Sequence, residues 1–206
     1  MVTELLLIRH APSQPPGHLY GRTDVSADVS DRLVVSAAAR AVGRIDQWIT
    51  SPARRCRQTL AALLESASVR VDVAEDARLW EQDFGDWDGL AQSVVPDIGK
   101  LNAAALAAQR PPNGESFADV CRRVQPALSD VVRDHFGLRV AIVAHAGVVR
   151  AGIALALAGS TAAEPDPEKL GRALSFEVRP LSLTKLRVFA PDAISIACCN
   201  WCAECP

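Results

Sequence analysis

Two hydrophobic rhythms organise this chain. The runs Leu5-Leu6-Leu7-Ile8 and Val140-Ala141-Ile142-Val143-Ala144 are continuous in apolar character, the pattern of strands covered on both faces. Residues 4–9 therefore read as a first strand and 138–144 as a central one. Gln47-Trp48-Ile49-Thr50 reads as a short buried strand ended by Ser51-Pro52, and Val69, Val71 and Val73 alternate as in a further short strand. Between these runs the spacing turns helical. Ser30 or Asp31 can cap an alanine-rich helix to about residue 43, and residues 53–65 carry Cys56, Leu60, Leu63 and Leu64 near the helical period. Weak helical stretches cover 94–98 and 99–109. After the break Pro111-Pro112-Asn113-Gly114, Glu115 or Ser116 opens a long helix to about 135 whose inner stripe is Val120, Val124, Leu128, Val131 and Val132. Residues 147–158 read as a buried helix, 164–171 as a polar loop, and 174–178, 183–189 and 193–198 as late strands.

Two segments follow neither rhythm. Residues 11–31 are rich in Pro, Gly and Ser, and so long a polar connection predicts a functional loop over a site. Residues 79–90 carry Trp80, Phe84, Trp87 and two glycines, the make-up of a packed irregular loop. Strand–helix alternation elsewhere implies a three-layer α/β/α sandwich with a mostly parallel central sheet, one domain over 1–206 with a cysteine-rich tail from about 198.

Composition narrows the function classes. Net charge is −2 over 206 residues, which leaves no electrostatic footprint for nucleic acid, so any anion site must be a local cluster of cations. No apolar run approaches the ~20 residues of a membrane span, and residues 1–8 lack the basic start of a signal peptide, so a cytoplasmic location is expected. Cys56 and Cys121 fall inside predicted helices as small core residues. Cys199, Cys202 and Cys205 repeat at a spacing found in part of zinc or iron–sulfur sites. Adjacent Cys198 would face away from them on a strand, which favours a free, oxidation-prone tail over a metal site.

The chemistry concentrates at strand ends. The first strand runs into Arg9-His10 and the central strand into His145, followed by Gly147. Ligands of open α/β sheets bind at the carboxyl ends of strands. An arginine beside an imidazole there suits an anion, phosphate above all. Arg55 stands at a strand-to-helix junction, where a helix amino terminus adds its own attraction for anions. Glu81, at the head of the aromatic loop, is a candidate proton donor. Taken singly each has a blander reading: a strand-end histidine is usually structural, Arg54 and Arg57 read as a solvated helix face, and Asp83, Asp86 and Asp88 as ordinary loop acids.

In combination, six blocks resemble the histidine phosphatase superfamily, with its phosphoglycerate-mutase-like fold. Arg9-His10-Ala11 is similar to the family's Arg-His-Gly, and Gly21-Arg22-Thr23-Asp24 to its Gly-Arg-x-Asp loop. Residues 51–59 resemble Ser-Pro-x-x-Arg-Ala-x-Gln-Thr, and 81–89 resemble Glu-x-x-Phe-Gly-x-Trp-Glu-Gly. Gly114-Glu115-Ser116-Phe117 matches another block, and residues 144–150 resemble Thr-His-Gly-Gly-x-x-Arg. The blocks keep the family's order across residues 4–160. Alanine replaces glycine at Ala11 and Ala146, a small change unless the backbone there needs positive φ.

The resemblance implies a phosphomonoesterase working through phosphohistidine. His10 would be the nucleophile, with Arg9, Arg55 and His145 gripping the phosphoryl oxygens and Glu81 moving protons. No metal or other cofactor would be required. Ser13, Arg22 and Thr23 are the candidates for substrate contact from the long loop. The partner would be a phosphorylated small molecule, and any oligomer a dimer. The chain looks most like the α-ribazole phosphatase branch of cobalamin synthesis, through Tyr20-Gly21-Arg22-Thr23-Asp24 and Phe84-Gly85-Asp86-Trp87. Broad-specificity sugar phosphatases share these features. Mutase-type relatives carry an asparagine where Gly17 stands here, which argues against a phosphoglycerate mutase. A non-catalytic phosphate-binding module is the alternative of another class.

Overall fold

The structure is a computed structural model, described over residues 1–159, 166–190 and 193–202. In chain order its elements are β1 (Thr3–Arg9), β2 (Ser13–Gln14), β3 (Ser26–Ala27), α1 (Arg32–Val42), β4 (Gln47–Thr50), α2 (Arg54–Ser66), β5 (Val73–Glu75), α3 (Ala103–Ala108), α4 (Phe117–Asp134), β6 (Arg139–Ala144), α5 (Ala146–Ala158), α6 (Pro167–Ala173), β7 (Leu183–Ala190) and β8 (Ala193–Trp201). The main sheet has the order β5-β4-β6-β1-β7-β8, with β5, β4, β6 and β1 parallel and β7 and β8 antiparallel at one edge.

The continuous apolar runs are explained by this placement. Leu5, Leu7, Val140 and Ile142 pack into a core shared with α4 and α5, while Leu6, Ile8, Ala141 and Val143 pack into a second core shared with α1 and α2. Successive side chains of a strand alternate faces, so a strand between two helix layers needs an apolar residue at every position. The result is the expected three-layer sandwich. Helix ends follow their local chemistry: Asp31 caps α1 through the N–H groups of Leu33 and Val34, and Ser116 and Asp119 form a reciprocal capping box at α4.

Several expectations need correction. Val69 and Val71 are exposed, and the edge strand runs over Val73–Glu75 instead, where it can pair with β4. Residues 94–98 form no α-helix, only a 3-10 turn ending at Val94, and the stretch 99–109 keeps only α3. Residues 167–171 are helical, because Asp166 caps α6 and Pro167 suits its first turn; residues 164 and 165 lie outside the described part. Residues 174–178 form no strand. Their carbonyls at Phe176 and Val178 accept arginine side chains, Arg150 Nε at 3.0 Å and Arg9 Nη1 at 2.6 Å, instead of a ladder. The long loop contains a small antiparallel pair, β2 with β3. Cys198 and Cys199 belong to β8 and Cys202 is buried; residues 203–206 of the expected tail lie outside the described residues. Cys205 lies outside the described residues, among which no group of three His, Cys, Asp or Glu could hold a metal. No described helix is long and apolar enough to cross a membrane.

Candidate active site

Strand register brings the two histidines together. Arg9 lies opposite Ala144 in the parallel β1–β6 pair, so His10 and His145 leave the sheet side by side. Their ring centroids are 5.2 Å apart, edge to face at 68°. On the other side of β6, Thr50 pairs with Val143 and delivers Ser51, whose Oγ is 2.9 Å from His145 Nε2.

The orientation of His10 is set by its neighbour. Its Nδ1 lies 2.6 Å from the Ala11 carbonyl oxygen. A carbonyl can only accept, so Nδ1 carries the proton and Nε2 keeps a lone pair. Among the described residues nothing bonds to Nε2, and the ring lines a cleft of about 230 Å³. Thr59 fixes the backbone beneath: its Oγ1 accepts the Ala11 N–H at 2.9 Å and donates to the Arg55 carbonyl at 2.7 Å. Neither Ala11 nor Ala146 has positive φ, so both methyl groups sit on ordinary backbone.

Arg55, in the first turn of α2, is completely buried. It donates from Nε to His145 Nδ1 at 3.3 Å, from Nη1 to the Thr23 carbonyl at 3.0 Å and from Nη2 to the Gly21 carbonyl at 2.7 Å. With Nδ1 accepting, His145 carries its proton on Nε2 and donates it to Ser51. Trp80 stacks on His145, its ring centroid 6.3 Å away, and lies 6.0 Å from the Arg55 guanidinium carbon. The Cys56 thiol, 3.5 Å from His145 Nε2, packs the far side. Arg9 ties Nη1 to Val178, but its buried Nε has no hydrogen-bond partner. A buried orphan donor of this kind is rare and marks a place where an acceptor is wanted.

Glu81 faces this cluster across the cleft. Its carboxylate receives the Gly147 N–H, 3.1 and 3.3 Å from its two oxygens, and the Gln82 N–H at 2.9 Å. Gly147 leaves room here: a Cβ at that position would meet Glu81 Oε1, and the carboxylate would have to shift. Arg123 of α4 holds the Glu81 segment from behind, donating to the carbonyls of Arg78, Trp80 and Glu81 at 2.7, 2.7 and 2.8 Å and pairing with Glu115.

Charge and burial act together on the imidazoles. Burial, then the cations Arg55 and Arg9, push the His10 pKa down to about 3. Burial and Arg55 hold His145 well below its ordinary value. Burial also lowers Arg9 and raises the Cys56 thiol, which keeps that sulfur protonated and inert. Arg9 and His10 thus line the cleft, while the fully buried Arg55 and His145 lie behind them and add guanidinium charge and a second neutral ring.

The sequence-predicted residues distribute unevenly. His10, Arg9, Arg55, His145 and Glu81 converge, and Ser13 lines the cleft. Arg22 instead reaches over Trp80, 5.7 Å from its ring centroid, and towards Glu115 at 3.7 Å. Thr23 contributes a backbone carbonyl to Arg55 rather than a side chain to the cleft. Ser51, Thr59 and Gly147 lie within the matched blocks and Arg123 outside them, yet the sequence assigns none of them a role, because each acts on a neighbour distant in sequence or on its backbone. Arg123 left one trace, its place between Val120 and Val124 at the margin of the inner stripe.

Comparison with known proteins agrees with this geometry. A bifunctional protein of Mycobacterium tuberculosis is 32% identical over 170 residues, 77% of this chain, and the chain spans only 45% of that relative's length. Phosphoserine phosphatase 1 of Hydrogenobacter thermophilus is 28% identical over 158 residues, 73% of this chain and 74% of the relative. The native structure of mycobacterial glucosyl-3-phosphoglycerate phosphatase superposes with a TM-score of 0.79 at 23% identity, covering 97% of this chain and 99% of that one, which establishes a shared fold. Residues 5–188, from within the first core strand to within β7 and with both strand-end histidines inside, match the histidine phosphatase superfamily (branch 1), and the chain belongs to that superfamily.

Proposed function

We propose that the protein hydrolyses phosphomonoesters through a phosphohistidine at His10. The observation that carries this reading is the His10 ring itself, with Nδ1–H tied to Ala11 and an Nε2 that no described residue bonds, in a cleft also lined by Arg9 with its orphaned Nε. In the first half-reaction the Nε2 lone pair forms a bond to phosphorus as the bond to the ester oxygen breaks, and Glu81 gives that oxygen a proton. In the second, Glu81 takes a proton from water as the water oxygen displaces Nε2, releasing phosphate and neutral imidazole. Arg9, Arg55 and His145 stabilise the transferring group, each such donor contributing a factor of about 10²–10³ in rate. An incoming phosphoryl oxygen would replace Arg55 at His145 Nδ1, which then carries the proton while the Ser51 hydroxyl turns to donate to Nε2. The arginines supply the positive charge that a bound cation supplies in other phosphatases, so activity is expected to withstand a chelator.

For the leaving alcohol, our first candidate is α-ribazole 5′-phosphate, on the strength of the loop motifs. The cleft wall supports it with aromatic surface for a flat base: Phe84, Phe117 and the stacked pair His18 and Tyr20, whose ring centroids are 5.7 Å apart. A second reading rests on Arg150, which also lines the cleft and among the described residues spends only Nε, on the Phe176 carbonyl. That guanidinium suits a substrate with a carboxylate near its phosphoester, as in phosphoserine. Turnover of α-ribazole 5′-phosphate, phosphoserine, sugar phosphates and p-nitrophenyl phosphate, with and without chelator, decides between them. A flat or reversed preference overturns the cobalamin assignment, and no turnover of any ester overturns the phosphatase. Glu81→Gln is expected to slow alkyl esters by about 10²–10⁴ and p-nitrophenyl phosphate far less, because that leaving group needs little protonation.

A further inference from the structure

We infer that Asp88, a loop acid outside the cleft, is a positioning residue that aims the Arg55 guanidinium. Its carboxylate accepts three consecutive backbone N–H groups, from Gly21 and Thr23 at 2.9 Å each and from Arg22 at 2.7 Å. Successive amides gathered onto one anion form a concave nest. The same short segment turns two of its carbonyls, of Gly21 and Thr23, to the buried guanidinium, where they accept from Arg55 Nη2 and Nη1. One carboxylate therefore sets two acceptors, and the two acceptors set the plane of the buried guanidinium.

The rest of the loop makes this linkage stiff. Asp24 accepts the Arg54 N–H at 2.6 Å, so the far end of the loop is tied to the helix turn that carries Arg55. A Cβ at Gly21 would strike the Gln82 carbonyl, so the near end is pressed against the segment that carries Glu81. Asp88 itself closes a 3-10 turn, its N–H bonded to the Gly85 carbonyl at 3.0 Å. Losing the carboxylate frees three amides, lets the two carbonyls rotate, and leaves Arg55 without a fixed direction. The kinetic consequence rests on the phosphatase reading above, whereas the linkage itself does not.

Asp88→Asn tests the linkage, because an amide offers one acceptor where three N–H groups converge and turns a donor towards them. Side-chain ¹⁵N resonances of Arg55 are expected to show separate, slowly exchanging Nη groups in the wild type and rotational averaging in Asp88→Asn, with the fold retained. Unchanged Arg55 resonances overturn the inference. In kinetics, Asp88→Asn is expected to lower kcat by about 10- to 100-fold, the loss typical of a misplaced group, and to weaken vanadate binding in parallel. In an Arg55→Met background the same change is expected to cost less than about twofold. Losses that multiply across the two sites overturn the inference. If the wild type turns over no phosphomonoester, the phosphatase reading falls, and the Arg55 resonances still decide the role of Asp88.

Discussion

His10→Ala is expected to abolish both turnover and the acid-labile phosphoprotein, a loss of at least roughly 10⁴ in kcat, the scale seen when a covalent nucleophile is removed. Rapid-quench labelling with a ³²P ester and steady-state assays measure the two losses. Retained labelling in the variant would remove His10 from the nucleophile's place. The same substitution carries a second signature, in stability. Folded His10 stays neutral down to about pH 3, whereas an unfolded chain protonates that side chain below ~6.5. The unfolded state therefore binds more protons between these values, and stability falls as pH drops through that window. His10 alone accounts for about 2 kcal/mol lost at pH 5 relative to pH 7.5. His145, depressed in the same direction, adds to the loss. Denaturant melts should show a shallower acid dependence in His10→Ala than in the wild type. An identical dependence would mean that His10 is not neutral and buried as described.

Arg55→Met is expected to have the second largest effect. The change keeps most of the side-chain volume but removes the donors to Gly21, Thr23 and His145. Turnover should fall by about 10²–10³, and stability by about 3 kcal/mol, because charge-assisted bonds to two carbonyls are lost in the interior. A spectroscopic mark separates this from general damage. Arg55 is the strongest of the charges that hold down both histidines, so His10 and His145 should titrate closer to their ordinary value in the variant. Histidine ring ¹H–¹³C shifts followed against pH read this directly. A wild-type kcat in Arg55→Met would show that this cation does not engage the transferring phosphoryl group.

How much of this was legible in the residues varies with the range of the forces involved. The strands β1 and β6 could be read directly, since burial on both faces demands an apolar residue at every step and leaves an unbroken run. The helices α1, α2 and α4 could be read from caps and stripes that act within a few residues. The ends of β1 and β6 and the start of α2 were therefore known, and with them Arg9, His10, Arg55 and His145. Failures came where a local pattern lost to a distant partner. Residues 174–178 alternate like a strand, yet Phe176 and Val178 give their carbonyls to arginines from β1 and α5. Asp88 looked like any solvated acid of the aromatic loop, until the loop from 21 to 23 folded onto it.

The amino-acid order by itself determined the chemistry on offer: which strand ends carry imidazole and guanidinium, and which glycines and capping residues shape the turns beside them. Only the tertiary structure decided how that chemistry is used. The β1–β6 register sets two rings 5.2 Å apart, burial and converging arginines keep the His10 ring neutral, and the bare backbone of Gly147 leaves room for Glu81. Desolvation, electrostatic fields and steric fit depend on distances between segments far apart in the chain, and those distances exist only once the sheet has closed.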